Sequence, residues 1–559
     1  MATVPLPQPS RSIIAGALLA ATSLPACAAE LFVSTTGNDS NADGSSSRPY
    51  RTIKRAISAG RAGDTITIRA PAGNSTYNEC DVRLRQRMIL RSPPGERAHI
   101  HCDPGVSNSV VVQIDPNASG SRVSNLELSG SQYYGVMLQT SWYQGGPASD
   151  TGATDVILED LLIHHTGTDG IKLTPKSNRA TIRRVEIHST GDRYPGNADG
   201  IDNVNADGMV VEDSYIHDTA TTGLYFKGGA RDVVIQRNRI ENTGNAGILA
   251  GFDTSPEFFD LSVNPQYYES IRGIVRNNVV RNTRHSGIGM YGAKDPVIAN
   301  NTIINAANEY HAAIYFGVTL QDYAPEAGRP ATVNPRVLNN LVLQDNNRCV
   351  EIRYANELGG LSALTGSPGT DWNGYRNGCT FRDGRAANSG WRTLAQWRSQ
   401  QGTDANSKQA AYAVDATGHL PANSPAIDAG TVVAEVTDDI DGQPRFAPYD
   451  IGADEAAGTS GGQRLRRNGS HPLEPGMLPA SRIGKPAGAV PGASRPTPLA
   501  PAGARSVTPA ALPAGANGTV APAAVAPSLR IRSPIATLWP RLRAWLERFD
   551  ADRQRTRPD

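Results

Sequence analysis

At 559 residues, with 39% hydrophobic and 6% aromatic residues, 56 glycines and 39 prolines, the chain exceeds one ordinary globular domain and suits short strands and turns better than a helical core. The net charge of +1 conceals a split: from Gln463 onward 15 Arg and Lys face 5 Asp and Glu, leaving 39 basic against 48 acidic residues elsewhere. The acidic body argues against a nucleic-acid groove, whereas the basic tail could touch nucleic acid, anionic lipid or acidic glycan.

In chain order, Arg11 precedes an apolar run from Ile13 to Leu24, and Ala26, Cys27, Ala28 and Ala29 supply small residues for cleavage. Residues 1–29 are therefore predicted to be an export signal, placing the mature chain in the periplasm or outside the cell. The run is short for a bilayer span, so no transmembrane segment is expected after its removal. Lipoprotein processing at Cys27 is the alternative, and Pro25 fits it poorly. Four cysteines remain, and export permits disulfides. Separations of 22 and 30 residues, near one turn of the repeat described below, predict the pairs Cys80–Cys102 and Cys349–Cys379.

Residues 31–34, LFVS, read as a strand, and residues 50–59 as a short amphipathic helix with Ile53, Ala56 and Ile57 on one face. Residues 65–68 follow as an alternating strand. This entry resembles that of secreted right-handed parallel β-helix proteins, in which a helix plugs the open end of the coil.

From about 85 to 345 the chain repeats. Anchors at Ile163, Ile187, Ile216, Ile240, Val280 and Ile303 are spaced 24, 29, 24, 40 and 23 residues apart, a basic period of 23–24 with two insertions. A second strand type follows each anchor: DGIKL, DGIDN, TGLYF, AGILA, SGIGM and the looser AAIYF. Such a period, without a leucine ladder, predicts an all-β parallel β-helix, and the resemblance of the N-terminal entry implies a right-handed coil with an N-terminal capping helix. Asn238, Asn278 and Asn301 would form an internal amide ladder. Insertions at 142–155, 191–198, 252–270 and 309–334 would emerge as loops, and those rich in Tyr, Trp and Pro could wall a groove. Residues 391–455, with Asp438, Asp439, Asp441 and Asp450 expected in turns, resemble the closing segment of secreted bacterial β-helix proteins, which implies a C-terminal cap. The predicted domain thus spans 30–455 and is monomeric. Residues 456–530, rich in Pro, Ala and Gly, are expected to be disordered, and 531–559 could form a basic amphipathic helix broken at Pro540.

Aligning the second strand type on its glycine makes a map. One position before it stand Asp169, Asp199, Thr222, Ala246 and Ser286; one after it, Ile171, Ile201, Leu224, Ile248 and Ile288 form a buried column. Two positions after it, facing outward, are Lys172, Asp202, Tyr225, Leu249 and Gly289, and four after it Thr174, Val204, Lys227, Gly251 and Tyr291. Asp169, Asp199, Asp202 and Lys227 are thereby gathered on neighbouring coils. Three carboxylates suit Ca²⁺, and a lysine beside a bound cation could serve as a base. A metal-free Asp–Lys salt bridge is the bland alternative.

The stretches ADGIDN (198–203) and LYFKGG (224–229) resemble the DDGFDL and GFKLGG motifs of family nine polysaccharide lyases, calcium-dependent pectate lyases built on a right-handed parallel β-helix. Ala198 stands where the family has the first Asp, and Lys227 falls at +4 where a strict register places it at +2. The resemblance implies Asp169, Asp199 and Asp202 as calcium ligands, Lys227 as the proton-abstracting base, and an acidic polysaccharide as substrate. Tyr225, Tyr291 and Tyr315 could stack on sugar rings, and Lys172 and Arg193 could meet a uronate. The rival expectations are a non-catalytic glycan-binding β-helix and a uronan C5-epimerase. A column of His164, His188 and His217 reads as ladder packing before metal binding.

Overall fold

The computed structural model describes residues 28–140, 150–320 and 328–456. Most of the expected export signal, the proline-rich segment beyond 456 and the basic C-terminal helix lie outside the described residues.

Each coil contributes three short strands, and like strands stack in parallel into three long sheets of 12, 12 and 11 strands. In one coil Ile157–Glu159 belongs to sheet I, Leu162–Thr166 to sheet II and Ile171–Leu173 to sheet III, before Thr181–Arg183 rejoins sheet I. The sequence segment read as one strand type is thus two strands. A corner divides them, where Asp160, Arg184, Asp213 and Arg237 take positive φ of 55°, 50°, 52° and 54°. These polar residues bend the chain without a glycine, so the corner leaves no glycine signature.

The repeat anchors form one inward column of sheet II, paired in register from Ile163 through Ile187, Ile216, Ile240 and Val280 to Ile303, all fully buried. On sheet III Ile171, Ile201, Leu224, Ile248 and Ile288 pair in the same way. Glycine precedes this column because a Cβ on Gly170 would lie 2.5 Å from Ile187 Cγ2 and 2.7 Å from the Gly200 carbonyl oxygen. The amide ladder runs Asn238, Asn278, Asn301 and on to Asn340 and Asn373, each Nδ2 donating to the next Oδ1 at 3.0–3.1 Å. All five are fully buried. This is a right-handed parallel β-helix.

Its N-terminal end is covered by the helix Ile53–Ala59, which begins three residues later than expected because Thr52 caps it, accepting from the Arg55 N–H. Helix Leu394–Gln401 packs Trp397 onto Phe381 of the last sheet III strand. Residues 412–456 then turn back along the corner between sheets I and II. Asn339 donates to the Thr431 carbonyl at 2.7 Å, Asn300 to that of Asp450 at 3.0 Å, and Arg445 to Asn277 Oδ1 at 2.9 Å. Disulfides join Cys80 to Cys102 and Cys349 to Cys379.

Candidate functional site

On sheet III the backbone fixes which side chains meet. Gly170 N–H donates to the Asp199 carbonyl and Gly200 N–H to that of Thr222, both at 3.0 Å, stacking the residues that precede the glycines. Lys172 is register partner to Asp202, and Asp202 to Tyr225. Lys227 pairs with Val204, two residues further along the same strands.

The carboxyls of Asp169, Asp199 and Asp202 converge, with one oxygen of each within 4.8 Å of the others. Their exposures are 1%, 3% and 2%. Part of their hydrogen bonding is internal: Asp169 Oδ1 accepts from the Asp199 N–H at 2.9 Å. Asp199 Oδ1 accepts from the Thr222 N–H at 2.9 Å and from Thr221 Oγ1 at 2.7 Å. Asp202 Oδ2 is ion-paired with Lys172. Of the three oxygens that remain, Asp169 Oδ2 and Asp202 Oδ1 are buried and without a hydrogen-bond partner.

Burial, then repulsion from Asp202 and Asp199, pushes the Asp169 carboxyl well above the usual carboxylate range; burial and Asp202 raise Asp199 as well. Tyr225 is raised by its own burial and by the same three aspartates. An all-oxygen set with two unsatisfied buried acceptors and mutually repelling carboxylates fits a hard cation such as Ca²⁺. Asp169, Asp199 and Asp202 are the residues that could hold it.

Lys227 is half-buried beside this cluster. Its Nζ donates to the Asp253 carbonyl at 3.1 Å and stands 4.4 Å from the centre of the Tyr225 ring. Its positive charge is felt at Asp199. The 252–270 insertion shapes this surroundings. Phe252 packs on Tyr225 and Tyr291, and Lys176 pairs with Asp260 to hold the insertion down. A fully buried Glu269–Arg329 pair, 3.0 Å apart, anchors its base, with Glu269 accepting from the Gly228 N–H at 3.1 Å, next to Lys227. The expected loops at 142–155 and 309–334 lie partly outside the described residues.

The remaining expected residues fall in two places. Tyr225, Tyr291 and Tyr315 are buried with Ala246 and Leu249 under Phe252, so their rings pack on the protein and are not presented to solvent. Arg193 is exposed on the 191–198 loop, where it donates to the Pro104 carbonyl at 2.8 Å and lies over Tyr194. Sequence reasoning missed Phe252, the Glu269–Arg329 pair and Gln139. The last occupies the strand position of Lys227 three coils earlier, buried with both amide atoms unpartnered.

Residues 111–260 match a family model described as a right-handed beta helix region, and residues 35–80 one described as a protein of unknown function. No curated protein matches the chain. Among solved structures, the chain is similar to the pectate lyase Pel9A, at 15% identity over 77% of this chain and 96% of that one, with a TM-score of 0.47. The Azotobacter vinelandii mannuronan C-5 epimerase AlgE6 A-module gives 15% over 68% and 88%, with a TM-score of 0.42. A rhamnogalacturonan lyase gives 15% over 57% and 84%, also with a TM-score of 0.42. At this identity and TM-score these likenesses carry nothing about chemistry. The chain is a right-handed parallel β-helix protein.

Proposed function

We propose that the chain is an exported, calcium-dependent polysaccharide lyase that cleaves a uronic-acid polymer by β-elimination, pectate before alginate. The observation that carries this reading is the pair of buried, partnerless oxygens on Asp169 and Asp202 beside a half-buried lysine. Asp169, Asp199 and Asp202 would hold the calcium. When bound, that ion would neutralise a substrate carboxylate and so acidify the adjacent carbon-bound proton.

The chain's own residues supply the rest. Lys172 is committed to Asp202 and keeps that carboxylate in place, which leaves Lys227 as the amine available for proton transfer. The Asp253 carbonyl and the Tyr225 ring fix the position of Lys227 Nζ, which in its neutral form takes the proton from the carbon next to the uronate. The electron pair left on that carbon forms the double bond as the glycosidic oxygen departs. Phe252 and the 252–270 insertion form one apolar wall beside this amine.

The test is incubation of the purified protein with polygalacturonate and with alginate, each with calcium or with a chelator, following ultraviolet absorbance of the unsaturated ends. The expected result is calcium-dependent absorbance that Lys227→Ala abolishes while binding persists. No absorbance from any uronan sinks the lyase reading. A change of sugar configuration by NMR without cleavage favours epimerisation, and binding alone favours a glycan-binding β-helix.

A further inference from the structure

The outward face of sheet II carries two adjoining columns that the proposed reaction does not use. One runs His99, Glu127, Leu162, Glu186 and Tyr215; the other runs His101, Ser129, His164, His188 and His217. Strand stacking brings the rings of the second column face to face, with His164–His188 at 5.2 Å and His188–His217 at 5.0 Å. Ser129 interrupts that column with a small side chain. His99 leans into the gap from the first column, its ring centre 6.0 Å from that of His164.

Around this gap three ligand-type atoms converge. Glu127 Oε1 is 3.2 Å from His164 Nε2 and 3.7 Å from His99 Nδ1, and the three groups fall within 4.8 Å of one another. Each imidazole is gripped by its far nitrogen: His99 Nε2 meets Ser129 Oγ at 2.7 Å, and His164 Nδ1 meets His165 Nδ1 at 2.8 Å. The near nitrogens, His164 Nε2 and His99 Nδ1, both face Glu127 Oε1, with Thr76 Oγ1 also 3.4 Å from His99 Nδ1, and outer partners orient metal-bound histidines in this way. The side chains of His99, Glu127 and His164 are 21%, 29% and 17% exposed, so an ion can reach them. His217 is the contrast within the same column. Glu186 and Asp218 engage its two nitrogens at 3.3 and 2.7 Å, and beside Glu186 the first column places Leu162 and Tyr215 and no second imidazole.

We propose that His99, Glu127 and His164 form a zinc site, separate from the aspartate cluster, with its fourth position open to water. Two imidazoles and one carboxylate are a borderline donor set that favours Zn²⁺ over Ca²⁺ or Mg²⁺, and three protein ligands leave a tetrahedral ion one free position.

The test is isothermal titration of Zn²⁺ into the chelator-stripped protein, paired with the visible spectrum of the Co²⁺ form. The expected result is one saturable site and a four-coordinate cobalt spectrum. Glu127→Gln, which keeps the side-chain shape, and His164→Gln should each weaken zinc by about tenfold or more, whereas His217→Gln and Asp202→Asn should leave it unchanged. Absence of saturable binding overturns the proposal. So does affinity that survives Glu127→Gln and His164→Gln in folded protein, or that is lost with Asp202→Asn.

Discussion

Two regions of this molecule bury several carboxylates, and they treat them differently. In the segment that folds back along the coil, Asp439, Asp450 and Glu455, all buried, have both carboxylate oxygens answered. Asp450 accepts from the Asp428 and Ala456 N–H groups at 2.7 Å, and Asp439 from those of Asp441 and Gln443 at 3.0 and 2.7 Å. Glu455 meets Arg445 at 3.1 Å, and Arg445 also donates to the Gly452 and Ala453 carbonyls at 2.8 Å. On sheet III, Asp169 and Asp202 each keep one buried oxygen with no partner. Burial raises acids in both regions, Asp439 and Asp450 to about 7, so burial alone does not separate them. Satisfaction does. Asp439, Asp450 and Glu455 receive backbone N–H groups and a guanidinium, whereas Asp169 and Asp202 keep acceptors open, as the proposed cation site would require.

The contrast breaks most severely if Arg445 is removed. Arg445→Ala strands Glu455 and the acids around it, and should cost about 3–5 kcal/mol in urea unfolding, with no dependence on calcium. On the aspartate side, calcium at about 100 times its Kd should stabilise the wild-type protein by about 2.7 kcal/mol, seen as a raised Tm. Asp202→Asn should abolish that gain.

A smaller effect follows from the raised carboxyls. Asp169 and Asp199 titrate higher in the folded chain than in the unfolded one, so the native state holds more protons as pH climbs above the ordinary carboxylate range. Metal-free stability should therefore fall as pH rises through that window. Asp439, Asp450 and Glu269, each raised to about 7, add to the same slope. Urea midpoints at pH 5 and pH 8 measure it. Asp169→Asn should flatten part of the slope, raise metal-free stability by about 1 kcal/mol and leave the part owed to the other acids. Smallest in stability is Lys227→Ala, within about 0.5 kcal/mol by the same unfolding assay, although uronan turnover should drop by about 10²–10⁴-fold.

Much of this organisation was legible in the sequence because a coil stacks like on like. The isoleucine columns, the amide ladder and the meeting of Asp169, Asp199 and Asp202 follow from register alone. What register hid has physical causes. The corner between sheets I and II uses polar residues at positive φ, so two strands read as one. The tyrosines at 225, 291 and 315 do stand on the outward rows, but Phe252 of the 252–270 insertion packs on the first two and His311 stacks on the third, and no repeat reports where an insertion lands. Lys172 and Asp202 were visible as column neighbours. That the lysine would occupy one oxygen and leave the other bare required their distances. The Glu269–Arg329 pair, 60 residues apart, leaves no periodic trace.

The most direct test of the account is calorimetric titration of calcium into the metal-free wild-type protein and the Asp169→Asn/Asp202→Asn double variant. The account predicts one saturable site per chain in the wild type and none in the variant. Absence of binding in the wild type, or equal binding in both proteins, would contradict it.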